Sequence, residues 1–132
     1  MNTGYNGMDW ICLSRRLAIY TRDGWCCVYC GAQGEDLGVG LSLDHILPNG
    51  DNDTENLLTS CGECNSSKGD RTMRSWFQTL RDRGENTTKL SAKIRRHRLR
   101  KIDRKTGRQL AAIRRPNSQR FARYRVEEPW EN

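Results

Sequence analysis

Residues 43–70 read LDHILPNGDNDTENLLTSCGECNSSKGD, and the fold turns on what this run is for. Together with Leu41 and Ser42 its apolar start forms LSLDHIL, a strand or hairpin arm that Pro48 stops. A run of turn formers, NGDNDTEN, fills 49–56. The stretch closes on Cys61-x-x-Cys64, half of a tetrahedral metal site, with a helix expected from near Cys61 to Lys68. Asn65 follows the second cysteine directly, and Lys68 comes one helical turn later. A purely structural knuckle needs neither residue, so both ask for a role.

The other half of the metal site is Cys27-x-x-Cys30, in the knuckle turn CVYCG. Two such pairs supply four thiolates and close a tetrahedron around Zn²⁺, which then has no open position for chemistry. Cys26 is an alternative to Cys27 as ligand, and Cys12 reads as a small core residue on the first helix. Residues 31–60 separate the pairs, more than the roughly 15–20 residues of a simple zinc ribbon. The surplus has room for a strand pair and a loop.

The rest of the chain narrows the class. It has 132 residues, enough for one ordinary domain, and only 35% of them are hydrophobic, so the core is modest. No apolar run approaches the roughly 18 residues of a membrane span. The stretch MNTGYNGMDW has neither a basic nor an apolar signal region, so a cytoplasmic protein is expected, where C-x-x-C pairs favour metal over disulfide. The net charge of +7 is uneven. Residues 1–70 carry 4 basic against 10 acidic residues, net −6, and residues 71–126 carry 19 against 3, net +16. Such asymmetry favours a polyanionic partner, most simply nucleic acid.

Periodicity adds helices. Trp10, Leu13, Leu17 and Tyr20 form one stripe over 10–22, with Asp9 as a cap and Gly24 as the end. Residues 73–84 predict a helix with Trp76, Phe77 and Leu80 inward and Gly84 at its end. Another starts at Thr87 or Thr88, carries Leu90, Ile94 and Ile102 on one side, and is punctuated by Gly107 and Pro116. Arg95, Arg96, Arg98, Arg100, Lys101 and Arg104 crowd it, a helical DNA-contacting arm in this reading. His97 reads as part of that basic face. The segment 114–125 mixes arginines with Phe121 and Tyr124 and suits contact along a nucleic-acid backbone, and EEPWEN is an acidic tail.

Between the zinc pairs lie Asp44, His45, Asn56 and, just past Cys64, Asn65. Carboxylate and amide oxygens suit a hard divalent ion such as Mg²⁺ or Mn²⁺. An imidazole can take a proton from water at neutral pH. Together these groups could make a one-metal phosphodiesterase site. One difficulty is geometric: Asp44 and His45 are adjacent, and adjacent strand residues point to opposite faces.

The pieces CVYC, LDH, P, NGDND, ENL and CGECNSSKG, in this order over residues 27–72, resemble the HNH endonucleases, the ββα-metal nucleases. Asn65 takes the third signature position, which makes this the H-N-N variant. The resemblance implies an α+β fold, a ββα-metal core stapled by the four-cysteine zinc, with flanking helices and a basic helical extension. It implies that Asp44 and Asn65 hold the catalytic metal, His45 acts as general base and Asn56 orients His45 and its loop. Products with 5′-phosphate and 3′-hydroxyl ends are expected. Lys68 and Arg71 join the phosphate contacts, although Lys68 reads equally as a solvated helix residue. The expected organisation is a nuclease core at 1–86 and a DNA-binding extension at 87–132. The expected partner is DNA, double-stranded in preference, with no membrane. A branched-DNA nuclease acting as a homodimer and a non-catalytic zinc-dependent DNA-binding module are the alternatives.

Overall fold

A computed structural model gives the fold; it describes residues 11–48 and 50–122, the last eight of these by backbone alone. Asp9 and Trp10, the side chain of Phe121, Tyr124 and the acidic tail lie outside the described residues. Helix α1 spans Leu13–Arg22, strand β1 Leu41–His45 and β2 Leu57–Cys61, with a 3-10 turn at Thr54–Asn56 before β2. Helices α2 (Gly62–Lys68), α3 (Met73–Asp82), α4 (Thr87–Leu99) and α5 (Arg104–Ala122) follow. The class is the expected α+β.

β1 and β2 form a two-stranded antiparallel sheet, with Asp44 opposite Leu58 and His45 opposite Leu57. A bare hairpin is marginal in water, so this one depends on what covers it. Both faces are covered, and the alternation of β2 sorts the core into two clusters. Leu57 and Leu43 pack with Ile11, Leu17, Ile19 and Tyr20 around α1, and with Ala111 of α5. Leu58, from the other face, packs with Val28 and Tyr29 of the knuckle, Trp76 and Leu80 of α3, and Leu90 and Ile94 of α4.

Local signals explain most helix ends. Asn86, the residue before Thr87, caps α4 by accepting from the Lys89 N–H, and Thr72 caps α3 by accepting from the Ser75 N–H. α1 ends at Gly24, whose φ of +76° glycine adopts without a Cβ penalty. Cys12 is not a core residue: it precedes α1 and is exposed. The break in the basic segment falls at residues 100–103, not at Gly107 or Pro116, and Ile102 leaves α4 to pack with the α1 cluster. Gly107 is inside α5 because α5 lies directly on α1 there. A Cβ on Gly107 would sit 2.3 Å from the Ser14 carbonyl oxygen. Among the described residues no helix is long and apolar enough to cross a membrane.

Candidate active site and metal centre

The knuckle turn 27–30 and the start of α2 bring four cysteines together. The Sγ atoms of Cys27, Cys30, Cys61 and Cys64 all lie within 4.8 Å of one another. Zn–S bonds of about 2.3 Å place tetrahedral sulfurs about 3.8 Å apart, and Cys30 Sγ is 3.7 Å from Cys61 Sγ. Each knuckle also points a backbone N–H at sulfur, Cys30 N–H to Cys27 and Cys64 N–H to Cys61. The four residues are thus arranged to bind a metal, and an all-thiolate tetrahedron suits zinc. Burial pushes the Cys64 thiol far up. In Cys61 burial acts the same way, but the hydrogen bonds from the Cys64 N–H and the neighbouring cysteine thiols together outweigh it and lower the thiol. A bound cation removes this spread by deprotonating every ligand. Cys26 stays outside the cluster, with its thiol on the Gly24 carbonyl.

Asp44 and His45 leave β1 on opposite faces, as strand alternation requires. Asp44 points into the cluster of the knuckle and α3, and is 4% exposed. The Tyr29 hydroxyl donates to its Oδ2 at 2.6 Å. Tyr29 sits between the ligands Cys27 and Cys30 and meets Trp76 edge-on, ring centroids 5.6 Å apart. Burial, and then the Asp44 carboxylate, push the Tyr29 phenol far up, so it stays a donor. Lys68 Nζ lies 3.2 Å from Asp44 Oδ2 and donates to the His45 carbonyl at 3.0 Å. Burial raises the Asp44 carboxyl above its ordinary value, against the pull of Tyr29 and Lys68.

His45 faces the loop that follows it. Its Nε2 is 2.8 Å from Asn52 Oδ1, and the Arg15 guanidinium of α1 donates to the Asn52 carbonyl. Asn56 braces this loop from inside: its Oδ1 accepts the Leu47 N–H at 2.9 Å and its Nδ2 donates to the Asp51 carbonyl at 2.8 Å. Asn65 donates to Ser42 Oγ at 2.9 Å. Ser42 and Asp44 share a face of β1, so the oxygens of Asp44 and Asn65 belong to one seam between β1 and α2.

A hard divalent ion at that seam does not fit the side chains as placed. The single carboxylate already carries an ammonium and a phenol, and it is shut from solvent. Ca²⁺ and Mg²⁺ take oxygen sets with negative charge to spare, and Asp44 with Lys68 has none. Lys68 itself is 1% exposed, so it is neither a surface phosphate contact nor a solvated residue.

The other basic residues divide in two. Arg71 turns inward and caps the end of α2: it donates to the Ser67 and Lys68 carbonyls and to Thr79 Oγ1, and lies over the Trp76 ring. Arg98 donates to the Glu55 carbonyl and Arg100 to the Arg22 carbonyl. Arg95, Arg96, Lys101 and Arg104 are exposed.

One cluster escapes sequence reading. Arg22 and Asp23, at the end of α1, form a buried pair, Nε to Oδ1 at 2.8 Å. Arg22 also donates to the carbonyls of Thr54 and Leu57, on either side of Asn56. Asp23 accepts the Thr59 N–H, and His97 Nδ1 lies 3.2 Å from its Oδ1. His97 is therefore a packed residue beneath the basic face. Burial lowers it, and Asp23, already matched by Arg22, opposes that incompletely. Tyr29 had a visible signal, a hydroxyl-bearing ring between two ligand cysteines. Arg22 and Asp23 had none, because neighbouring opposite charges at a helix end usually face water.

Comparison with curated proteins and with solved structures returns no match. Residues 27–80, from the first knuckle through β1, β2, α2 and most of α3, match the family model described as HNH endonuclease.

Proposed function

We propose that the chain is an endonuclease that hydrolyses DNA phosphodiester bonds to 5′-phosphate and 3′-hydroxyl ends, with His45 as general base. The observation that carries the reading is the bracing of His45. Asn52 Oδ1 can only accept, so the tautomer that suits this contact carries its proton on Nε2. Asn56 fixes the loop that holds Asn52, which supports its reading as the residue that orients His45 and its loop. Water attacks phosphorus and gives its proton to the His45 ring. The P–O3′ bond breaks, and the 3′ oxygen is protonated from solvent. Magnesium or manganese dependence is the expectation for such nucleases. Asp44 is engaged with Lys68, so its carboxylate is not open to such an ion in this arrangement.

Duplex DNA is the proposed substrate, and residues 87–132 are proposed as the part that carries most of the affinity. The net +16 of residues 71–126 supports this, as does the exposure of Arg95, Arg96, Lys101 and Arg104. The zinc-bound knuckles serve the scaffold alone. The test is a nicking assay on supercoiled plasmid with wild type and His45→Ala. The variant is expected to lose roughly 10²–10⁴-fold in rate while zinc content and DNA affinity stay near wild type. Wild-type rates in a folded His45→Ala protein would remove His45 from the role.

A further inference from the structure

Asp44 is the one carboxylate in the expected ligand set, and its two nearest polar partners are a phenol and an ammonium. The ammonium comes from the last turn of α2, one turn beyond Asn65, so Lys68 reaches the carboxylate from the same helix that brings the amide. Its Nζ lies 3.3 Å from Oδ1 and 3.2 Å from Oδ2, facing both carboxylate oxygens. The remaining donor strength goes to the His45 carbonyl at the end of β1. Lysine so deeply buried is rare unless paired, and Asp44 is that pair. The trio of Tyr29, Asp44 and Lys68 is therefore neutral as a unit. A divalent ion approaching Asp44 would meet a fixed positive charge across the same carboxylate.

We infer that Lys68 is a built-in counter-cation of Asp44 that competes with a divalent metal ion, so that such an ion reaches Asp44 only as the ammonium leaves it. This rests on the reading of Asp44 as part of the hydrolytic site. It assigns Lys68 a task that neither a phosphate contact nor a solvated residue would have. Tyr29 stays on Oδ2 in either state, because its ring is held by Trp76 and its position is fixed by the flanking cysteines.

The test measures Mn²⁺ binding by the loss of its free paramagnetic resonance signal, on zinc-loaded protein without DNA. Lys68→Met is expected to bind Mn²⁺ at least roughly tenfold more tightly than wild type, since a unit charge a few ångströms away is gone. Lys68→Gln should gain similarly, Lys68→Arg should not, and Asp44→Asn should cancel the gain. Folded Lys68→Met and Lys68→Gln proteins that bind Mn²⁺ no more tightly than wild type would overturn the inference. Should neither neutral variant fold, acetylation of wild-type Lys68, read by mass spectrometry, decides. Labelling is expected to be slow without Mn²⁺ and faster with saturating Mn²⁺, and no change overturns the inference. Tighter Mn²⁺ binding without DNA cleavage by any form would sink the nuclease reading and leave this one standing. His45-dependent cleavage with Mn²⁺ affinity indifferent to Lys68 would do the reverse.

Discussion

Replacing Arg22 by Met should nearly unfold the protein, although Arg22 belongs to no expected site. The side chain is 0% exposed, as is that of Asp23. Met keeps much of the aliphatic stem and removes four hydrogen bonds: two to Asp23, at 2.8 and 3.0 Å, and one each to Thr54 and Leu57, at 2.9 and 2.7 Å. Breaking a buried pair from one side costs about 3–5 kcal/mol, mostly from the charge left behind. Asp23 retains the Thr59 N–H and His97, so we place the loss near the middle, about 4 kcal/mol. A domain's whole stability is about 5–15 kcal/mol. Urea unfolding of zinc-saturated protein, followed by tryptophan fluorescence, reads the loss directly. The orphaned charge makes a sharper claim. Asp23→Asn should destabilise wild type, yet stabilise Arg22→Met by about 1–2 kcal/mol, because the amide still accepts from Thr59 and leaves no bare charge. A loss under about 1 kcal/mol in Arg22→Met, or a second substitution that makes it worse, refutes the reasoning. Cleavage should fall as well, since Thr54 and Leu57 flank Asn56.

Cys64→Ser should abolish stoichiometric zinc in purified protein and with it near-ultraviolet circular dichroism, because a structural zinc contributes about 10–16 kcal/mol of apparent binding energy in small modules; a zinc-free variant with native dichroism would contradict this. Arg95→Gln with Arg96→Gln should weaken duplex binding across sequences and flatten the log–log salt dependence by about 0.9 per lost phosphate contact, and an unchanged slope would make these arginines bystanders. His97 is lowered by burial, so the unfolded chain binds its proton first as pH falls. Its share of stability is complete above its ordinary value of 6.5 and is lost below it. The melting temperature of wild type should therefore drop more between pH 7.5 and 5.5, a span of about two units around that value, than that of His97→Gln; equal drops would show that His97 is not held neutral.

Much of this was readable without coordinates. Two C-x-x-C pairs can meet in few ways, and Leu43, Leu57, Leu58, Trp76, Leu80, Leu90 and Ile94 follow local periodicity to the core. The opposite faces of Asp44 and His45 were also readable, since alternation is a property of any strand. What stayed hidden depends on partners far away in the chain. Nothing near Lys68 says that a carboxylate 24 residues earlier will bury it, and nothing near His97 points to Asp23, 74 residues back. Gly107 looked like punctuation because its reason for being glycine is the backbone of Ser14.

The seam between α1 and α5 has a consequence for how the chain is made. Helix α1 leaves the ribosome early with Leu17, Ile19 and Tyr20 facing a partner that is translated late. The bond from Arg114 to the Leu37 carbonyl, on the same side of the molecule, spans 77 residues. At roughly 5–20 residues per second, such a span takes several seconds to emerge. The cysteine cluster lies wholly within residues 27–64 and is complete well before that. The four cysteines can thus meet before α1 is covered, and for those seconds the apolar stripe of the first helix is the part of the nascent chain most in need of shelter.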